Sequence, residues 1–373
     1  MILSPDVYNG TGGNENVLRS YAYYRPDWVD LTVIHHNDFS LGALDQNKAL
    51  EMMKGATLIP IRWPGKNLIH FNKRLPTRLL SGFLFTPLLY LLSRKQKKLI
   101  REYADNNHIT YLLYNNFSWF LSKRNPVVGM TDIYFVWGYL GALISRLIPF
   151  RVIYPRIVAY HLLRKLPWWP SKVGNFFVPN GVDVSKFRPS LRLESRVKLL
   201  YVGRLESYKG VLDILDVIKT LDINLELNIV GTGSLDETIK EIAKELPGVN
   251  YLGPLEENDL IKIYSESDIF VFPSRGEVYS IVPLEALSSG LYIICGENMR
   301  GHYDDLCKQG FLEYCPYNLK ALRDSIIRAT ENIQYIRQRR EDAHKYAQEN
   351  YDLISLTHKF YKGLKEIYYE YRN

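Results

Sequence analysis

The sequence predicts an α/β protein of two Rossmann-like units, each a parallel sheet with helices on both faces. Three observations carry this. Short β-branched or aliphatic runs alternate with longer amphipathic stretches along most of the chain, and such alternation builds parallel sheets. The alternation restarts near residue 198, after the Pro- and Gly-bearing stretch 179–189, which reads as a linker. The 373 residues exceed one ordinary domain but suit two of about 150–200 residues.

The first unit, residues 1–178, opens on a short strand. The glycine loop Gly10-Thr11-Gly12-Gly13 follows it, and a helical pattern starts at Asn16. Further strands are expected at 31–34, 57–61, 110–114, 127–130, 150–154 and 176–178. The second unit, 179–350, has apolar runs at 198–202, 226–230, 249–252, 269–272, 291–295 and 311–314. Helical patterns lie between them, at 211–221, 235–246 and 257–266. Pro283 suits the first turn of a helix through 284–289. In 351–373, Leu353, Leu356, Phe360, Leu364 and Ile367 recur at helical spacing, as in a helix packed on something.

Composition narrows the classes. Hydrophobic residues make up 46% of the chain, enough for large buried cores, which excludes general disorder. The net charge of +7 is unevenly spread. Residues 1–178 hold 22 Lys and Arg against 10 Asp and Glu, and residues 179–373 hold 25 against 30. The split supports two domains and suggests an anionic partner for the first. Cys295, Cys307 and Cys315 lack CxxC spacing, which argues against a disulfide scaffold or a structural zinc site and fits a reducing cytosol. The first ten residues have neither the basic nor the long apolar region of a signal peptide. The longest near-apolar run, 79–92, contains Pro87 and is shorter than the about 20 residues that cross a bilayer.

In open α/β sheets ligands bind at the carboxyl ends of the strands, so the residues that follow each strand are candidates. After 198–202 come Gly203-Arg204 and Lys209-Gly210, two cations at one strand end, suited to a diphosphate or merely to a solvated loop. After 226–230 comes Gly231-Thr232-Gly233, either a plain turn or one whose N–H groups meet an anion or base edge. After 269–272, Glu277 lies in a loop and Glu285 in the first turn of the next helix. The N–H groups of Ser280, Ile281 and Val282 then lie near a helix N-terminus, where phosphate is favoured, and the two carboxylates can accept hydrogen bonds from hydroxyls.

In combination and in this order, these signals resemble the GT-B nucleotide-sugar glycosyltransferases, in particular glycosyltransferase family 4. The linker signature is Val178-Pro-Asn-Gly-Val-Asp183 with Phe187, the diphosphate site is Val202-Gly-Arg-Leu205 with Lys209-Gly210, and the paired-Glu motif runs from Glu277 to Glu285, followed by Gly290. The resemblance implies two Rossmann-like domains facing a cleft, with the C-terminal helix returning to the first. It implies a retaining, metal-independent transfer of a hexose, with no cofactor beyond the nucleotide diphosphate sugar as co-substrate. By resemblance, Arg204 and Lys209 hold the donor diphosphate beside Gly203. Glu277 binds sugar hydroxyls, Glu285 the ribose hydroxyls, and the backbone of Ser280, Ile281 and Val282 the distal phosphate. Gly231, Gly233 and the segment from Gly253 to Leu255 border base and ribose, and Gly12 and Gly13 lie near the diphosphate. Three positions depart from the family pattern: Asp132 stands where a His is common near the acceptor, Ser280 where Gly is common, and Tyr292 where Pro is common. Asp132 could orient the acceptor hydroxyl or accept its proton, or serve as a buried structural Asp. Asp304-Asp305 is the only DD pair and reads as a solvated helix face rather than a metal site.

The acceptor side is basic. Residues 52–101 carry 11 Lys and Arg and no acid, and residues 133–182 carry six cations, no acid and Leu166-Pro-Trp-Trp-Pro170. Cations beside apolar and Trp side chains suit an anionic membrane surface. The expectation is therefore a cytoplasmic enzyme at the membrane face, with a lipid-linked or polysaccharide acceptor. A nucleic-acid-binding reading would use the same basic and aromatic residues, but leaves the glycine, Arg/Lys and paired-Glu motifs of the acidic half unexplained.

Overall fold

The computed structural model describes residues 2–3, 19–36, 51, 53–61, 98–99, 102–103, 105–108, 110–112, 127–130 and 151–153, and then 178–372 except 192–194, 222–223 and 278–279. The glycine loop with Gly12 and Gly13, the apolar run 79–92, Asp132 and the segment 166–170 lie outside the described residues. The chain divides into two compact units. Pro179–Leu356 makes up the body of the second, and Thr357–Asn373 belongs with the first.

The first unit holds a six-stranded sheet, β1 (Ile2–Leu3), β2 (Thr32–His36), β3 (Thr57–Ile61), β4 (Thr110–Leu112), β5 (Val127–Met130) and β6 (Arg151–Ile153). Every pairing is parallel, in the order β3-β2-β1-β4-β5-β6. β1 lies at the centre, with Ile2 opposite both Val33 and Tyr111.

The second unit repeats this plan with β7 (Val197–Val202), β8 (Leu225–Val230), β9 (Val249–Gly253), β10 (Ile269–Phe272), β11 (Tyr292–Gly296) and β12 (Leu312–Cys315). These are again all parallel, in the order β12-β11-β10-β7-β8-β9. Helices on both faces leave the central strands little solvated side, so they are largely apolar rather than alternating. β10 is the clearest case, with all four residues of its Ile-Phe-Val-Phe sequence buried. The observed strands match the sequence expectation to within two residues at either end. Of the expected strand 176–178, residues 176–177 lie outside the described residues, and Val178 is buried and in no strand.

The helices of this unit are α1 (Val211–Ile218), α2 (Asp236–Glu245), α3 (Glu257–Ser265), α4 (Val282–Ser288), α5 (Asp304–Lys308), α6 (Leu319–Glu331), α7 (Ile333–Gln338) and α8 (Arg340–Tyr351). Asn318 caps α6, its side chain accepting from the Ala321 N–H at 2.7 Å. Asp305 on α5 corrects the expectation of a solvated pair. Its Oδ2 accepts from the hydroxyls of Tyr346 (3.0 Å) and Tyr351 (2.6 Å) on α8, so it ties two helices together. Asp304 keeps a local role and accepts from the Gly301 N–H at 2.8 Å.

The last helix, α9 (Leu353–Arg372), starts where Val182 bridges to Asp352 and continues as part of the first unit. There Phe360 stacks on Tyr21 with ring centroids 4.2 Å apart, and the Tyr361 hydroxyl donates to the Tyr21 carbonyl at 3.0 Å. Among the described residues, no helix is long and apolar enough to cross a membrane.

Candidate active site

The strand order of the second sheet reverses between β7 and β10, and it is outside the carboxyl ends of such a pair that α/β proteins bind ligands. β7 runs into Gly203 and Arg204, then into a single 3-10 turn, Ser207–Lys209, and Gly210. Gly210 has φ +78°, and a Cβ there would lie 2.6 Å from the Pro273 carbonyl oxygen. Only glycine lets the loops after β7 and β10 come so close. The contact brings Lys209 to Glu277, and its Nζ pairs with Glu277 Oε1. Each side chain is only 10% exposed. The Ser274 hydroxyl donates to the same oxygen at 3.0 Å. The ammonium also lies 5.3 Å from the centroid of the Tyr208 ring and 5.7 Å from that of Phe272.

Arg204 and Lys209 occupy different environments. Arg204 is exposed and donates to the Tyr208 hydroxyl at 2.6 Å. Lys209 is buried and already neutralised. Of the two cations, Arg204 is therefore the one whose charge faces solvent. The loop that carries Glu277 is held from two further sides. The Arg275 N–H donates to the Tyr208 carbonyl at 2.8 Å, and its guanidinium bonds Asp213 on α1 at 2.6 Å. On the other flank the Tyr317 hydroxyl donates to the Ser274 carbonyl at 3.2 Å.

Glu285 sits half-buried in the first turn of α4. Burial pushes it from 4.5 up to about 7, and the neighbouring Glu257 adds to the rise. A hydrogen bond from the buried Tyr264 hydroxyl, 2.9 Å from Oε2, pulls it back part of the way. Tyr264 comes from α3 and packs edge-on against Phe187. Ser280, Ile281 and Val282 lie at the start of α4, all partly exposed. The Ser280 carbonyl accepts from the buried Tyr303 hydroxyl. Because a peptide's N–H and C=O point in opposite directions, this bond turns the Ile281 N–H away from Tyr303.

The glycines after β8 have a packing role. Gly231 has φ +134°, and a Cβ there would lie 1.9 Å from the Gly203 carbonyl oxygen. A Cβ on Gly233 would lie 2.4 Å from the Leu205 carbonyl oxygen. Their N–H groups are used within the fold: Gly231 donates to the Gly253 carbonyl at 2.9 Å and Gly233 to Asp236 Oδ1 at 2.7 Å. The turn therefore offers a ligand its shape and not the N–H groups of these two glycines. The side of Gly253 that a Cβ would occupy is open, while Leu255 beyond it packs on the core. Gly12, Gly13 and Asp132 lie outside the described residues. Among the described residues, no group of three His, Cys, Asp or Glu side chains could hold a metal ion.

Sequence reasoning brings Lys209, Glu277 and Glu285 to the right strand ends but misses Tyr264, Tyr303 and Ser274. Tyr264 and Tyr303 read as ordinary core aromatics, and nothing in their spacing marks the hydroxyl bonds to Glu285 and to the Ser280 carbonyl.

Two parallel sheets with this strand order, the second carrying a buried Lys–Glu pair at its switch point, define a GT-B glycosyltransferase architecture. The structure is similar over 98% of each chain to HepE of Anabaena, solved with UDP and glucose, at a TM-score of 0.69 and 17% identity. That likeness shows the fold. Residues 183–350 match the family described as glycosyl transferases group 1. The match spans the second unit, a little under half of the chain, which is thus similar to the group 1 glycosyltransferases. Curated relatives include the sulfoquinovosyl transferase SQD2 of Arabidopsis thaliana, 29% identical over 38% of this chain and 32% of that protein. Another is a mannosyltransferase of Corynebacterium glutamicum named for GDP-mannose and a monoacylated phosphatidylinositol monomannoside. It is 30% identical over 32% of this chain and 37% of that protein. The match thus spans about a third of the length of these relatives.

Proposed function

We propose that this chain is a retaining, metal-independent hexosyltransferase. It moves a sugar from a nucleotide diphosphate sugar to a hydroxyl of a lipid-linked or polysaccharide acceptor at the cytoplasmic face of a membrane. The observation that carries the reading is the buried Lys209–Glu277 pair at the strand-order switch point.

In this reading Glu277 accepts hydrogen bonds from the donor sugar and holds Lys209 towards the diphosphate. Lys209 and the exposed Arg204 stabilise the charge that collects on the departing nucleotide, the task a divalent ion performs elsewhere. Glu285 accepts the ribose hydroxyls, and the first-turn N–H groups of α4 meet the distal phosphate. The loops of Gly203, Gly231, Gly233 and Leu255 border base and ribose. Asp132 orients the acceptor hydroxyl, with Gly12 and Gly13 near the diphosphate. A lipid-linked acceptor draws support from the basic first half and from the acylated substrate in the name of the C. glutamicum relative.

A thermal-shift screen with UDP, GDP and ADP sugars identifies the donor, since a ligand bound to the native state raises its apparent stability. With that donor, Lys209→Ala and Glu277→Gln should each lower transfer by about 100-fold or more, while circular dichroism shows a folded chain. Full activity in either folded variant refutes the site. An NMR spectrum of the product with inverted anomeric configuration refutes retention. Inhibition by a chelator refutes metal independence, and an unchanged rate in Asp132→Asn removes that residue from the mechanism.

A further inference from the structure

The outer face of α9 has a composition that the catalytic reading does not use. The helix buries Leu356, Phe360, Tyr361 and Leu364. On the opposite side His358, Lys362, Lys365 and Tyr369 fall at spacings of four, three and four residues, one stripe along the helix. Lys359 is exposed beside the stripe. Among the described residues, no carboxylate lies within salt-bridge distance of Lys359, Lys362 or Lys365. A depression of about 780 Å³ separates this stripe from the segment 25–28. On that segment Trp28 is 54% exposed, and Lys365 Nζ lies 4.8 Å from its ring centroid. Tyr369 is 56% exposed at the far end of the stripe. Asp27 and Glu366 are the acids at the depression, against Arg25, Lys362 and Lys365.

Unpaired lysines along one helix face, flanked by exposed Trp and Tyr rings, are what a polar–apolar interface accommodates. The ammonium groups meet lipid phosphates, and the rings settle at headgroup depth. We propose that this face of α9, with Trp28, docks the protein on an anionic lipid surface. The inference rests on the membrane reading above but draws on different residues, since the acid-free stretches 52–101 and 133–182 contribute none of them.

The test is co-sedimentation of the full chain with vesicles of phosphatidylglycerol and phosphatidylcholine, against phosphatidylcholine alone. The native chain is expected to sediment with the anionic vesicles only, and 0.5 M salt should release it. At about 1 kcal/mol per lysine near such a surface, the double variant Lys362→Ser, Lys365→Ser should partition roughly 30-fold more weakly. The double variant Lys362→Arg, Lys365→Arg should retain binding, and donor hydrolysis in vesicle-free solution should stay unchanged in both. If the native chain sediments and the serine variant sediments equally, this surface is refuted and the membrane reading stands on other residues. If the native chain does not sediment, or binds neutral vesicles as well, both fall.

Discussion

Glu285→Gln tests the electrostatics of the site in one substitution. In the native chain burial lifts this carboxyl from 4.5 to about 7. The folded state therefore holds a proton that the unfolded state has released between those two values. Its contribution is fully present below the unfolded value and is lost as pH rises through about 7. At 1.36 kcal/mol per tenfold, the penalty above pH 7 is about 3 kcal/mol. Glutamine matches the side chain in size, can still accept from the Tyr264 hydroxyl and never ionises. The variant should be nearly isostable with the native chain at pH 5 and more stable at pH 8 by up to about 3 kcal/mol, or roughly 6–12 °C in melting temperature for a unit of this size. Nucleotide affinity should move the other way and fall about tenfold at pH 8, because a charged acceptor has been removed. Urea unfolding at both pH values, with calorimetric titration of the nucleotide, measures the two effects. A stability difference that is the same at pH 5 and pH 8 refutes the reasoning.

The remaining predictions concern the supports of the site. Tyr264→Phe removes the bond that lowers the Glu285 pKa, so the pH midpoint of nucleotide binding should shift upward by about one pH unit; an unmoved midpoint refutes this. Gly231→Ala sets a Cβ 1.9 Å from a backbone oxygen at φ +134°, so the second unit should lose several kcal/mol, on the order of 3 or more, in denaturant unfolding. Arg337→Ala strips a two-pronged partner from the fully buried Asp268, both contacts being 2.9 Å. The expected cost is about 3–5 kcal/mol, much of it regained in Arg337→Ala, Asp268→Asn.

The central strands of the second unit are legible because burial on both faces demands unbroken apolar runs, and β10 has no other reading. Lys209-Gly210 and Glu277 are legible as residues that follow strand ends. Their pairing across 68 residues is not, because it depends on how closely Gly210 approaches Pro273. Gly231 and Gly233 illustrate the same limit. A Gly-x-Gly turn looks identical in sequence whether its N–H groups face a ligand or, as here, are used by Gly253 and Asp236. Asp305 looked solvated because charge alone marks it, whereas its two tyrosine partners lie 41 and 46 residues away.

α9 also bears on how the chain is made. The contact between Tyr361 and Tyr21 joins residues 340 positions apart. During synthesis, Tyr21 leaves the ribosome long before Phe360 and Tyr361, and the whole of Pro179–Leu356 emerges in between. The second unit can fold as it appears, since its sheet is contiguous in sequence. The first unit must wait with an unfinished core until α9 has emerged. A nascent chain stalled so that residues up to about Leu356 have emerged should therefore present a folded second half and a first half open to proteases and chaperones.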